Sequence, residues 1–145
     1  MQLTVVAVGK PKLAYARLGA DTYLERLRHY LRLEFKTVKA STPGEEAERL
    51  FAASEGAVRI ALDPRGWAGT TEAWLGRWLE WERLGTQRVA FLIGGAEGHG
   101  SAVSSQCETW SLGPLTMQHE LALVVLLEQL YRVQTLKRGE PYHRG

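Results

Sequence analysis

The chain predicts an α/β fold with a mostly parallel sheet and helices on both faces, and three observations carry that expectation. Short runs rich in Val, Ile and Leu alternate with helical patterns of 10 or more residues. The runs Leu3 to Val8 and Val89 to Ile93 are nearly unbroken, as strands covered on both faces are. Four glycines then follow Ile93 within seven residues, from Gly94 to Gly100. Such a turn suits the carboxyl end of a parallel strand, where open α/β sheets bind their ligands. Only glycine combines a positive φ with the lack of a Cβ that would block a ligand.

Taken in order, Leu3 to Val8 reads as a first strand closed by Gly9-Lys10-Pro11. Ala16, Ala20, Tyr23, Leu24, Leu27 and Leu31 recur at helical spacing and predict a long first helix that tolerates Gly19. Phe35 to Val38 reads as a short second strand. Thr42-Pro43-Gly44-Glu45 is a capping box with proline at the first helical position, opening a second helix that reaches about Glu55, with Gly56 as its stop. A third strand, Val58 to Leu62, ends in Asp63-Pro64-Arg65-Gly66. The third helix runs from Thr70 or Thr71 to Leu84, and its stripe of Trp74, Trp78 and Trp81 marks core rather than a cofactor box. Gly85 stops it, and Arg88 to Ile93 is the fourth strand. Ser101 to about Glu108 predicts a short helix, Thr109 to Leu112 a fifth strand, and Gln118 to about Leu136 the final helix. That helix is apolar nearly all round, so a second subunit is the expected source of its cover.

Composition narrows the function. The 145 residues predict one domain, 1–145, with a real core. No apolar run reaches the roughly 18 residues of a membrane span, and Met1 leads straight into a strand, so a cytoplasmic protein is expected. A single cysteine, Cys107, excludes internal disulfides and multi-cysteine zinc sites. No GxSxG elbow and no histidine pair at metal spacing is present, so no metal is expected. The glycine loop is not G-x-G-x-x-G, because Gly95, Gly98 and Gly100 have the wrong spacing, and no Gly-Lys-Ser/Thr follows. The net charge of +2 is too small to prove a nucleic-acid partner. Its distribution says more: Arg26, Arg28, His29 and Arg32 form one basic group, and Arg132, Lys137, Arg138 and Arg144 a second.

Two loops suit a ligand, the one after Ile93 and the run Leu112-Gly113-Pro114-Leu115-Thr116-Met117. The second is uncharged, and its backbone could read the edge of a planar base held among Leu112, Leu115 and Met117, as adenine would be.

With these motifs the sequence resembles the RlmH family of SPOUT-class methyltransferases, which methylate the N3 nitrogen of a pseudouridine in large-subunit (23S) ribosomal RNA. The resemblance spans nearly the whole chain. It rests on Leu62-Asp63-x-x-Gly66, Ile93-Gly94-Gly95-x-Glu97-Gly98, Leu115-Thr116-x-x-His119, Glu128-Gln129-x-Tyr131-Arg132 and the terminal Pro141-Tyr142-His143-Arg144. It implies a C-terminal trefoil knot, an S-adenosylmethionine site in the knot and a homodimer; the knot rests on the resemblance alone. Carried over residue by residue, the cofactor contacts fall on Leu62, Gly94, Leu112, Gly113, Pro114, Leu115, Thr116 and Met117. Leu123 stands where many members have an arginine, and His99 where an apolar residue is common.

For catalysis, His143 is the candidate base, since an unperturbed histidine is mostly neutral at pH 7. Tyr142 suits stacking on a base, Arg132 anchors the tail or neutralises phosphate, and Glu97 is a weaker candidate base. Arg144, Lys137 and Arg138 are the candidate RNA contacts. The expected partner is large-subunit ribosomal RNA or the assembled ribosome. Two other classes stay open: a methyltransferase of the same fold acting on transfer RNA, and a non-catalytic S-adenosylmethionine-binding module.

Overall fold

The computed structural model describes residues 1–144; Gly145 lies outside them. The chain runs β1 (Gln2–Val8), α1 (Ala14–Arg28), β2 (Arg32–Val38), α2 (Pro43–Ala53), β3 (Val58–Trp67), α3 (Thr71–Arg83), β4 (Arg88–Ile93), α4 (Ser101–Ser104), β5 (Glu108–Trp110) and α5 (His119–Lys137). All five strands are parallel, in the order β2-β1-β4-β3-β5. Alternate residues of the central strands feed two cores. Leu3, Val5, Val89, Phe91 and Ile60 pack with α1, α3 and α5, while Val6, Val8, Ala90 and Leu92 pack with α2 and Val103 of α4. Helices therefore cover both faces, as expected.

Several boundaries move. Helix α1 ends at Arg28, and Tyr30 and Leu31 turn back with their N–H groups donating to the Leu27 carbonyl. Strand β2 then starts at Arg32 rather than Phe35, because all seven residues of β1 pair with it from Gln2 opposite Arg32 onward. Pairing overrides a helical periodicity that would have continued through Leu31. Helix α2 stops at Ala53, short of Glu55, and Gly56 takes φ +79° in the turn that follows. Thr42 Oγ1 caps it, accepting from the Glu45 N–H at 3.3 Å, and Glu46, one residue beyond the capping-box position, accepts from the N–H of Ser41, one residue before the cap, at 2.9 Å. Strand β3 does not end at Leu62 but resumes pairing at Trp67, α4 spans only four residues, and β5 stops at Trp110, before Leu112.

The tryptophan stripe of α3 is core, as expected. Trp110 stacks parallel to Trp81 at 5.5 Å and meets Trp74 and Trp67 edge-on at 4.8 and 4.9 Å.

Helix α5 is covered mostly within its own chain, by α1, α3 and the sheet, which corrects the expectation that a second subunit supplies most of that cover. At Gly19, α1 lies close against α5: a Cβ there would lie 3.0 Å from Val124. Glu120, buried in the first turn of α5, accepts from the Lys12 and Leu13 N–H groups at 2.6 and 2.9 Å. It caps α1, which has no cap of its own, and so locks the two helix starts side by side. No helix among the described residues is long and apolar enough to cross a membrane.

Candidate active site

Strands β3, β4 and β5 are neighbours, and their carboxyl ends open onto a cleft of about 530 Å³. Its volume lies in the range usual for cofactor pockets. The stretch after β4 folds back on itself: the Gly98 N–H donates to the Gly95 carbonyl at 2.9 Å, with Gly98 at φ +73°. Gly94 is buried beneath this turn, and a Cβ there would come 2.7 Å from the Gly98 carbonyl carbon. Its lack of a side chain therefore serves the closure of the loop itself. Beyond β5, Ser111 Oγ donates to the Gly113 carbonyl at 2.6 Å and accepts from its N–H at 3.0 Å. Gly113 has φ +132°, a region barred to side-chain-bearing residues.

Seven of the eight sequence-derived cofactor positions line this one cleft: Leu62, Gly94, Leu112, Gly113, Leu115, Thr116 and Met117; the exposed Pro114 does not. Leu115 is 74% exposed, an apolar surface left open at the cleft wall. The N-terminus of α5 closes the far side with Gln118, His119 and Ala122. Glu97 is exposed at the tip of the glycine turn.

Sequence reasoning did not place Asp63, Arg65 or His99 at the site, yet all three line it. The Asp63-Pro64-Arg65-Gly66 turn and a histidine straight after the glycines were the available signals. The Arg65 guanidinium beside it holds the Asp63 carboxyl below the usual carboxylate range. His99 Nε2 lies 3.0 Å from the Leu92 carbonyl, so that nitrogen carries the proton. Burial pushes the imidazole below its ordinary pKa, against the opposing pull of the Leu92 carbonyl, Asp63 and Glu46. The unfolded chain therefore takes up this proton more readily than the folded one, and stability falls as pH drops below about 6.5. His99→Leu is expected to lose less stability on acidification, read as the shift in urea midpoint between about pH 7 and 5. An unchanged pH slope would show that His99 does not titrate with folding.

The candidate catalytic residues gather elsewhere, around the middle of α5. Arg132 pairs with Glu128 at 2.6 Å, and the Tyr142 hydroxyl donates to the same carboxylate at 2.9 Å. The Tyr142 ring stands edge-on to Tyr131 at 4.7 Å, and the Arg132 guanidinium lies over it at 4.9 Å. Burial, the Tyr23 hydroxyl and the Glu128 carboxylate push the Tyr142 phenol up, so it donates rather than ionises. His143 bridges two helices: Nδ1 is 3.1 Å from Arg132 Nη1 and Nε2 is 2.8 Å from Glu72 of α3. Arginine can only donate, so in the neutral ring Nδ1 accepts and the Nε2 proton goes to Glu72. The single basic lone pair of His143 is thus occupied by Arg132. None of these three residues lines the chain's own cleft.

Of the candidate RNA contacts, Lys137 pairs with Glu82 of α3, and Arg138 lies over the Tyr30 ring at 4.5 Å while donating to its carbonyl. Arg144 is exposed. The Tyr30 contact sets Arg138 of the second basic group beside the end of α1 that carries Arg26, Arg28 and His29. Among the described residues no cluster of His, Cys, Asp and Glu suits a metal ion.

A family model described as a predicted SPOUT methyltransferase matches residues 1–143. A Thermus thermophilus protein named ribosomal RNA large subunit methyltransferase H is 52% identical over 145 residues, covering 99% of both chains. One of the same name from Deinococcus radiodurans is 46% identical over 147 residues, covering all of both. Among solved structures, a probable methylase family protein from Haemophilus influenzae is similar in fold, with a TM-score of 0.56 at 9% identity, over 99% of this chain and 70% of that one.

Proposed function

The chain belongs to the SPOUT methyltransferase family, and from that premise we propose that it is an S-adenosylmethionine-dependent enzyme that methylates the N3 nitrogen of a pseudouridine in large-subunit ribosomal RNA. The observation that carries the reading is the cleft beyond β3, β4 and β5, with its uncharged 112–117 wall and the open face of Leu115. These residues fit the cofactor. Leu112, Leu115 and Met117 offer apolar surface to an adenine, and the 112–117 backbone offers N–H and C=O groups to its edge. Bound there, the cofactor supplies a methyl group already made electrophilic by its sulfonium.

The protein's share is to hold the nucleobase nitrogen in line, exclude water and receive one proton. His143 is the proposed acceptor, which requires it to exchange Arg132 for the substrate. Tyr142, kept protonated, stacks on the base or donates to it. The tail is bound away from its own cleft, so it reaches a substrate either by release or by meeting the cleft of a second copy. Leu13, Tyr15 and Leu18, at and within the start of α1, and Leu121 of α5 are exposed apolar side chains, Leu18 at 71% exposure, and we propose that a homodimer covers them. Burying such side chains contributes about 1.5–3 kcal/mol each. Sedimentation at micromolar concentration should report twice the 16.2 kDa of one chain. A natively folded monomer would remove the dimer.

The substrate is expected to be the assembled ribosome in the cytoplasm, with the knotted backbone of the family around the cofactor. Methyl transfer from labelled cofactor to intact ribosomes, naked ribosomal RNA and transfer RNA tests the whole reading. Label on ribosomal RNA at a pseudouridine is the expected result. Label only on transfer RNA, or cofactor binding without transfer, would replace it.

A further inference from the structure

Strand β3 pairs with Trp110 twice, through Leu62 and again through Trp67, so the four residues between bulge out of register with β5. An excursion of this kind re-aims side chains next to a site. Two contacts fix its shape. Gly66 lies so close to β5 that a Cβ would come 2.5 Å from the Thr109 carbonyl carbon, so only glycine lets the excursion close. Asp63, with its side chain 7% exposed, turns back on the excursion: Oδ1 accepts from the Arg65 N–H at 2.8 Å and from Nε at 3.1 Å, and Oδ2 accepts from Nη2 at 3.0 Å.

The result is an arginine on the cleft wall whose side chain is 81% exposed yet held by a buried carboxylate. Asp63 takes the Nε hydrogen and one hydrogen of Nη2, which leaves the other Nη2 hydrogen and those of Nη1 as a second fork free to donate elsewhere. A surface ion pair contributes little to stability, and holding a long side chain in one geometry costs entropy. A ligand that meets an ordered guanidinium is spared that entropy.

We infer that Arg65 grips a phosphate of the RNA backbone beside the nucleotide that enters the cleft. The inference rests on the proposed RNA methyltransferase reading. The cofactor's own carboxylate is the competing anion, but Arg65 faces solvent at the rim, from which RNA arrives, while the proposed cofactor wall lies at Leu62 and residues 112–117. Arginine is also the side chain whose planar fork matches a phosphate.

The test compares wild type, Arg65→Gln and Arg65→Lys as full-length proteins. It measures steady-state transfer to ribosomes over a range of salt, and calorimetry with S-adenosylmethionine. Arg65→Gln is expected to raise KM for ribosomes about tenfold, with a smaller effect on kcat, and to make the slope of log affinity against log salt shallower by about one. Arg65→Lys should restore the salt slope with incomplete recovery of KM, because the charge returns without the fork. Circular dichroism and a thermal melt confirm that each variant is folded. Wild-type KM and salt slope in Arg65→Gln would overturn the inference, leaving Arg65 as the counter-ion of Asp63. Loss of S-adenosylmethionine affinity with an unchanged salt slope would overturn it in favour of the cofactor's carboxylate. Failure of the wild type itself to methylate ribosomal RNA would instead remove the reading beneath it, and Arg65 with it.

Discussion

Removing Tyr142 to Gly145 is expected to abolish methyl transfer to ribosomes while leaving the fold and most cofactor binding in place. The tail packs on the outside of α5 through Tyr142 and His143, and the cleft does not use it within one chain. Its loss forfeits the edge-on contact with Tyr131, an interaction of about 0.5–1.5 kcal/mol, while the Glu128–Arg132 pair beneath remains. Dimerisation through the α1 and α5 surface should also persist. His143→Ala alone should lower turnover by about 10²- to 10⁴-fold, the usual contribution of a general base, with less effect on ribosome affinity. Arg144→Ala should weaken RNA binding and flatten its salt dependence. Single-turnover assays with labelled cofactor decide the matter: a truncated enzyme that works at the wild-type rate has no catalytic tail.

Charging or straining the 112–117 wall should have an effect of similar size on cofactor binding. Leu115→Glu replaces a side chain already 74% exposed, so folding is not at risk, but it sets a carboxylate where the adenine would lie. A loss of S-adenosylmethionine affinity of about 100-fold or more is expected, some 2.7 kcal/mol. Gly113→Val forces a β-branched residue to φ +132° and breaks the turn that Ser111 braces. Strain of that kind costs about 1–3 kcal/mol and should also remove the slot. Gly94→Val is a poorer probe, because its side chain would strike the Gly98–His99 backbone and disrupt the loop before any ligand is met. Calorimetry on a Leu115→Glu protein with native circular dichroism is the cleaner measurement, and undiminished affinity would move the cofactor elsewhere.

Most elements were legible because they follow from local rules. The two-faced strands β1 and β4 announce themselves by unbroken apolar runs, α2 by Thr42 and Pro43, and α3 by a tryptophan stripe that ends at Gly85. Boundaries set by pairing were not. The start of β2 depends on register with Gln2, and the return of β3 at Trp67 depends on Trp110, a residue 43 positions later in the sequence. No periodicity within either segment carries that information.

The candidate site divides in the same way. By itself the sequence determined where the backbone turns and which stretch is uncharged, because glycine and apolar runs act locally; hence Gly94, Leu112, Gly113 and Leu115 were named from sequence alone. Only the tertiary structure decided what converges on the cleft. Asp63, Arg65 and His99 arrive there because β3, β4 and β5 end side by side in the sheet, in the order β4-β3-β5 rather than the order of the chain. His143 is bound to Arg132 and Glu72 because α3 and α5 pack together. Charge pairing and the direction a side chain faces are properties of neighbours brought together by folding, and a linear pattern records only neighbours in the chain.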